Sequence, residues 1–168
     1  MDTGKEFLNQ SAVRFAYAFD RIEHVLKGLT DDQIWKKPSP ESNSIGIIIQ
    51  HITGNLSQWI CEAVGGDRYK RNRPAEFKQE SRHSKSVISE SLRRLSFRIR
   101  EILETASPDI LLENKRIQGI DENVLSAIYK ACTHLELHAG QIVYIAKLYL
   151  GPVYDEFWKP LNVEQGKE

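Results

Sequence analysis

Residues 121–150 read DENVLSAIYKACTHLELHAGQIVYIAKLYL and decide the fold class. Apolar side chains recur there at spacings of three and four, which predicts one long helix with a buried face. That face consists of Val124, Ala127, Ile128, Ala131, Leu135, Ile142, Ile145, Ala146 and Tyr149. The helix is expected to begin near Asp121 as its N-cap and to end at Leu150, because Gly151-Pro152 cannot continue it.

The same periodicity predicts three more long helices, over residues 4–27, 44–64 and 84–105. Ser44 is the expected N-cap of the second, and Val87 is expected on the buried face of the third. Four amphipathic helices of this length predict an all-α four-helix bundle. The chain has 168 residues, which suits a single domain over 1–168.

The segments between the four predicted helices carry signals of their own. Thr30 with Gln33 fits a capping box that opens a short helical turn. Residues 66–82 are polar, contain Pro74 and are long for a bundle loop, and such loops are often functional or mobile. Residues 109–120 could hold a short extended stretch around Leu111, Leu112 and Ile117, closed by Gly119. The tail aromatics are expected to pack on the bundle; they are Tyr154, Phe157 and Trp158.

Bulk composition excludes several classes of function. Lysine and arginine number 23, as do aspartate and glutamate, so no net charge draws the chain to nucleic acid or an anionic membrane. There is no run of 18 apolar residues and no apolar signal-peptide core at the start, which indicates a cytoplasmic protein without a membrane span. Cys61 and Cys132 lie in apolar helical patterns and are expected to be buried free thiols.

Three histidines are the candidates for chemistry. His134 and His138 are four residues apart beside the buried stripe of the last helix, so both side chains can reach one atom. Buried apolar neighbours favour the neutral imidazole, which is the form that binds metals. His51, on the second helix, shares a polar stripe with Asn55 and is expected to face a crevice between helices. Three such ligands would leave a coordination position open for water or substrate.

An ordinary structural interpretation stays open, because histidines on apolar helix faces are often hydrogen-bonded core residues. His24 and His83 lie in polar surroundings and are expected at the surface. Glu136 lies 200° around the helix from His134, which makes it a poor general base. The chain has no zincin motif, no glycine-rich phosphate loop and no nucleophile elbow.

Three segments resemble the DinB-like superfamily of small bacterial helical proteins, also called DinB/YfiT-like metalloenzymes. They are Asn43–Gly46 leading into His51–Leu56, the connector Arg71–Phe77, and the run Thr133–Tyr144. The resemblance covers most of residues 5–150. It implies an up-down-down-up four-helix bundle, often dimeric, that binds a divalent metal ion, nickel or zinc, through positions that are His51, His134 and His138 here.

Two functions follow as hypotheses. Characterised relatives include transferases that use low-molecular-weight thiols, which suggests a metal-dependent thiol S-transferase acting on a small-molecule substrate. Asn55 and Gln141, one turn from expected ligands, would then hydrogen-bond the ligands, orient substrate or bind the cofactor. The basic residues Arg71 and Arg73 would attract an acidic thiol. The alternative is a non-catalytic metal- or ligand-binding protein of the stress response, or a scaffold. A homodimer is expected in either case.

Overall fold

The computed structural model describes residues 2–78 and 82–154. Its helices are α1 (Thr3–Gly28), α2 (Asp31–Trp35), α3 (Ile45–Leu56), α4 (Arg73–Glu76), α5 (Lys85–Thr105) and α6 (Val124–Leu150). A π-helical segment, Ser57–Glu62, continues α3, and a 3₁₀ turn, Pro108–Leu112, follows α5. The strands β1 (Asn114–Ile117) and β2 (Ile120–Asn123) form an antiparallel hairpin before α6. The predicted all-α class is confirmed.

The four long helices pack in the predicted up-down-down-up order. Lys5 Nζ donates to the carbonyl of Glu104, so α1 starts where α5 ends. Trp35 Nε1 donates to the carbonyl of His83, and this bond places the starts of α3 and α5 at the same end. Tyr149, near the end of α6, donates to the carbonyl of Lys36 at that end too. α3 and α5 are therefore parallel, while α6 runs against α3.

Local signals position the helix starts. The Thr30–Gln33 capping box is formed, and the Ser44 hydroxyl accepts from the backbone N–H of Ile47. The N-cap of α6 is Asn123, whose side chain accepts from Ser126 N, so the prediction of Asp121 was wrong. Asp121 instead pairs with Arg116 in the hairpin, which occupies the residues just before the helix.

Other differences have physical causes. Val87 is exposed and Ile88 is buried in its place, because α5 presents the neighbouring stripe to the core. The expected extended stretch exists, but the 3₁₀ turn contains Leu111, which is buried. Tyr154 is buried as expected, whereas Phe157 and Trp158 lie outside the described residues.

Buried apolar side chains from all four long helices form the core. Its largest fully buried members include Phe15, Ile22, Ile52, Ile60 and Leu92. Across the part of the chain that the structure describes, no helix is both long and apolar enough to cross a membrane. That residues 1–168 form one domain stays a prediction.

Candidate metal centre

The structure brings the three predicted histidines together. His51 comes from α3, and His134 and His138 come from successive turns of α6. His51 Nε2 lies 3.0 Å from His134 Nε2, and one ring nitrogen of each histidine lies within 4.8 Å of the others. The ring centroids of His134 and His138 are 4.4 Å apart, and each is about 5 Å from that of His51. Helical spacing therefore aims both α6 side chains at the imidazole of α3.

Burial keeps the α6 imidazoles neutral. It lowers the pKa of His134 from 6.5 to about 4, with smaller contributions from the neighbouring His138 and His51 and from the charges of Arg71 and Arg73. Burial also lowers the pKa of His138, although the hydrogen bond with Gln141 opposes that shift. At neutral pH both rings therefore carry a free nitrogen lone pair, which a metal ligand requires.

This pKa shift predicts how the stability of the metal-free protein depends on pH. The unfolded chain takes up a proton on His134 near pH 6.5, whereas the folded chain resists protonation until about pH 4. Acid therefore favours the unfolded state between these values, and the melting temperature should fall as the pH drops from 6.5 to about 4. With chelator present, His134→Ala should flatten this decline and the exposed-residue control His83→Ala should not. Identical declines in the wild type and His134→Ala would contradict the assignment.

The connector that the sequence left as a polar loop folds over His51. α4 places Glu76 there with only 8% of its side chain exposed, and Glu76 Oε2 lies 3.0 Å from His51 Nδ1. Arg71, with a side chain only 5% exposed, donates to both Glu76 oxygens, from Nε at 2.6 Å and from Nη2 at 2.8 Å. His51 is consequently buried, and the prediction that it faces a crevice was wrong. Burying a carboxylate costs several kcal/mol of desolvation free energy, about as large as other buried-ion penalties, unless a cation pairs with it, and Arg71 is that cation here.

These partners set the imidazole tautomers. The Glu76 carboxylate can only accept, so His51 Nδ1 carries the proton and Nε2 faces His134. The Gln141 side-chain oxygen lies 2.7 Å from His138 Nδ1, which again leaves Nε2 for the cluster. Hydrogen bonds to the far ring nitrogen are the usual way that proteins orient metal-binding histidines.

An exposed edge adjoins the cluster. The Phe77 ring lies 5.1 Å from that of His51 and is 40% exposed. The Arg73 guanidinium stacks over Phe77 at 5.7 Å. This edge combines an apolar surface with a positive charge beside the three histidines.

The remaining sequence candidates fall elsewhere. Glu136 faces α1, where it pairs with Arg14 and Arg21, so it was correctly set aside as a general base. Asn55 Oδ1 is buried, and no hydrogen-bond partner for it lies among the described residues. The structure shows no described contact from Asn55 to the histidines.

The two thiols and the two other histidines are not part of the cluster. Burial raises the pKa of the Cys61 thiol to about 11 and also raises that of Cys132, which is only half-buried rather than buried. Neither thiol is a ready nucleophile. His83 is exposed as predicted, whereas His24 is half-buried.

The donor set fits a divalent metal ion. Three neutral nitrogens bound to Zn²⁺ at its usual bond length would lie about 3.4 Å apart, a spacing that falls within the 4.8 Å limit of the cluster and near the 3.0 Å between Nε2 of His51 and of His134. Histidine nitrogens suit zinc, copper, iron and nickel and are poor ligands for magnesium or calcium. Three protein ligands leave coordination open to a further molecule.

The helical bundle that carries the three histidines has the DinB-like fold. One solved structure is that of a DinB-like protein from Bacillus cereus ATCC 10987, with 17% identity, a TM-score of 0.66, and coverage of 85% of this chain and 90% of that chain. A conserved protein from Enterococcus faecalis has 17% identity, a TM-score of 0.70 and coverage of 90% and 99%. The DinB-like YjoA of Bacillus subtilis has 17% identity, a TM-score of 0.64 and coverage of 83% and 92%. At these identities the likeness establishes the fold.

The chain belongs to the DUF1572 family, described as proteins of unknown function, whose model matches residues 2–167. No curated protein matches the sequence. The resemblance drawn from the three sequence segments is thereby confirmed at the level of the DinB-like fold.

Proposed function

We propose that His51, His134 and His138 hold a divalent metal ion, nickel or zinc, through their Nε2 atoms. The observation that carries the proposal is the convergence of three imidazole nitrogens within 4.8 Å. Two of the rings are fixed from behind by acceptors, and burial keeps the α6 pair neutral. These features prepare the site for a cation and hold its ligands in place before the cation binds.

The proposal extends to catalysis: the sulfur of a low-molecular-weight thiol forms a bond to an electrophilic carbon, the leaving group of that carbon departs as an anion, and the thiol proton passes to water. A divalent cation supplies Lewis acidity, which lowers the pKa of a thiol held beside it. The thiol must come from a second molecule, because Cys61 and Cys132 lie outside the cluster and burial raises their pKa values.

The residues around the cluster suit an acidic thiol. Arg71 is neutralised by Glu76, which leaves the charge of Arg73 to attract an anion at the exposed edge. Phe77 offers an apolar surface to the electrophile, and Gln141 holds His138 while its amide nitrogen stays available to a ligand. The buried Asn55 Oδ1 is a candidate acceptor for a bound molecule.

The proposed activity can be tested with a bimane electrophile and a panel of thiols that contains cysteine, coenzyme A, bacillithiol and mycothiol. We expect nickel- or zinc-loaded protein to turn over at least one thiol, and we expect chelator or His138→Ala to reduce the rate to background. His83→Ala should keep the wild-type rate. Turnover that survives complete metal removal would overturn the metal mechanism.

A binding role without turnover is the second candidate. It is favoured by the absence of a free carboxylate beside the histidines in the described residues, since Glu76 is engaged by Arg71. Stoichiometric metal uptake with no conjugation of any thiol would support this alternative.

Under either function we propose a cytoplasmic homodimer without nucleic-acid partners. The apolar side chains that α6 exposes could meet a second copy; they are Leu125, Tyr129, Leu137, Tyr144 and Leu148.

A further inference from the structure

The tip of the β-hairpin has an unusual backbone. Gln118 and Gly119 are the two residues between β1 and β2, and both have positive φ, 54° and 80°. Two-residue hairpin turns of this kind favour asparagine or glycine at the first position. A glutamine there has an unfavourable conformation, and such outliers concentrate at functional sites.

The Gln118 side chain makes three contacts that account for its presence. One terminal atom of its carboxamide lies 2.5 Å from Arg71 Nη1, 2.9 Å from Trp59 Nε1 and 3.0 Å from the carboxamide of Gln58. Arg71 and Trp59 can only donate, whereas the Gln58 carboxamide can turn its N–H₂ toward this atom, so the atom is the carboxamide oxygen of Gln118 and accepts from Arg71 and Trp59. Trp59 belongs to the π-helical segment that continues the helix of His51, and Arg71 belongs to the connector that covers His51. Gln118 therefore joins the two segments that hold this imidazole.

A continuous chain of hydrogen bonds runs from the hairpin to the cluster. Gln118 accepts a hydrogen bond from Arg71 Nη1, and Arg71 donates from its Nε and Nη2 atoms to Glu76. Glu76 in turn accepts from His51 Nδ1. Every nitrogen of the buried Arg71 guanidinium thus has a hydrogen-bond partner. Because the guanidinium group is planar, all these bonds form together in only one orientation of it.

We propose that Gln118 is a positioning residue of the metal centre: through Arg71 and Glu76 it fixes the orientation and tautomer of His51. This inference rests on the proposed metal function. It assigns the hairpin tip, 67 residues along the chain from His51, to the same site. Loss of the carboxamide leaves Arg71 free to rotate out of its two bonds with Glu76, and His51 then loses its fixed acceptor.

The decisive variant is Gln118→Gly. Glycine adopts positive φ without strain, so the hairpin keeps its turn while the carboxamide is removed. We expect the Co²⁺ affinity to fall about tenfold, at the lower edge of the effect of outer partners of metal ligands, with a changed visible Co²⁺ spectrum. The melting temperature of the metal-free protein should fall only slightly, because relief of the strained turn offsets part of the hydrogen bonding lost at Arg71 and Trp59. Arg116→Ala is the matched control, because it removes an exposed hairpin ion pair outside the chain of bonds.

A double-mutant cycle tests whether Gln118 acts on His51 through Arg71. Arg71→Lys keeps the positive charge but lacks the planar guanidinium group that donates to both Gln118 and Glu76. In that background Gln118→Gly should cost no further affinity, whereas independent effects would multiply and overturn the inference. The inference is also overturned if Gln118→Gly binds Co²⁺ as tightly as the wild type, which would leave the proposed metal function intact. A loss of affinity that Arg116→Ala shares would assign the hairpin to folding alone.

Nitrogen-15 NMR of the metal-free protein separates this inference from the metal proposal. The wild type should show His51 as a single Nδ1–H tautomer, and Gln118→Gly should mix the two tautomers. If the wild type takes up no Co²⁺, the proposed function fails, and the tautomer measurement still decides whether Gln118 positions His51. An unchanged tautomer in the variant would overturn the inference.

Discussion

Elemental analysis of protein purified without chelator should find one nickel or zinc ion per wild-type chain and none in His134→Ala. His134 is the ring closest to both other histidines, with Nε2 3.0 Å from His51 Nε2 and a centroid 4.4 Å from that of His138. Without it, two imidazoles from different helices remain, and the site loses a direct ligand. Since outer partners alone are worth about 10–100-fold in affinity, loss of a ligand should exceed that range.

The same variant should leave the fold intact. Alanine forms helices better than histidine does, and residue 134 lies inside α6. Circular dichroism of the metal-free His134→Ala protein should therefore match that of the metal-free wild type. Metal loss in a well-folded variant then reports on coordination and not on unfolding.

A thermal measurement gives the prediction a magnitude. A metal ion at a hundred times its dissociation constant stabilises the folded state by about 2.7 kcal/mol. For a chain of this size the melting temperature should rise by about 5–10 °C on adding nickel or zinc. His134→Ala should show no rise, and His83→Ala should show the full rise. Equal metal content and equal shifts in His134→Ala and the wild type would contradict the tri-histidine site.

The bundle and the histidine pair were predictable because both depend on spacing along a single helix. The apolar period of residues 124–149 marks the buried face of α6, and the four-residue interval of His134 and His138 puts both on one side of it. The third ligand was not readable from spacing. His51 lies 83 residues from His134, so the sequence offered it only as a histidine on another helix, and the resemblance to DinB-like proteins strengthened the link.

The connector was the main failure of sequence reasoning, because its burial depends on partners that local composition does not show. Arg71 and Glu76 look like solvent-exposed charges in a polar stretch with a proline. They are buried because each neutralises the other over His51. The five-residue interval between them was the available signal, and it has meaning only once His51 is placed beside it.

The π-helical segment was missed, and the hairpin was predicted only as a short extended stretch, for a related reason. Residues 57–62 keep enough apolar period to look like ordinary helix, and the wider turn shows only in the backbone hydrogen bonds. The hairpin strands have four residues each, too few for alternation to show. Both elements lie next to the site, where local propensity is commonly overridden.

Gly54→Ala should destabilise the protein, although alanine is the better helix former. The substitution gains about 1 kcal/mol of helix propensity in α3. A methyl group at residue 54, however, would overlap Glu76 Oε1 and lie 2.8 Å from Glu76 Cδ. Moving Glu76 aside would cost free energy, because the side chain is buried and accepts hydrogen bonds from both Nε and Nη2 of Arg71. Disrupting a buried ion pair costs about 3–5 kcal/mol, so the repulsion outweighs the propensity gain.

The net loss for Gly54→Ala should be about 2–4 kcal/mol, which lowers the melting temperature by about 5–15 °C. Gly140→Ala is the matched control, because it lies in the interior of α6 with nothing within 4 Å of an added methyl group. It should gain about 1 kcal/mol and melt slightly higher. Metal affinity should fall in Gly54→Ala, since a displaced Glu76 no longer orients His51. If both variants melt higher than the wild type, Glu76 is not held over Gly54, and the packing of the connector on the site is wrong.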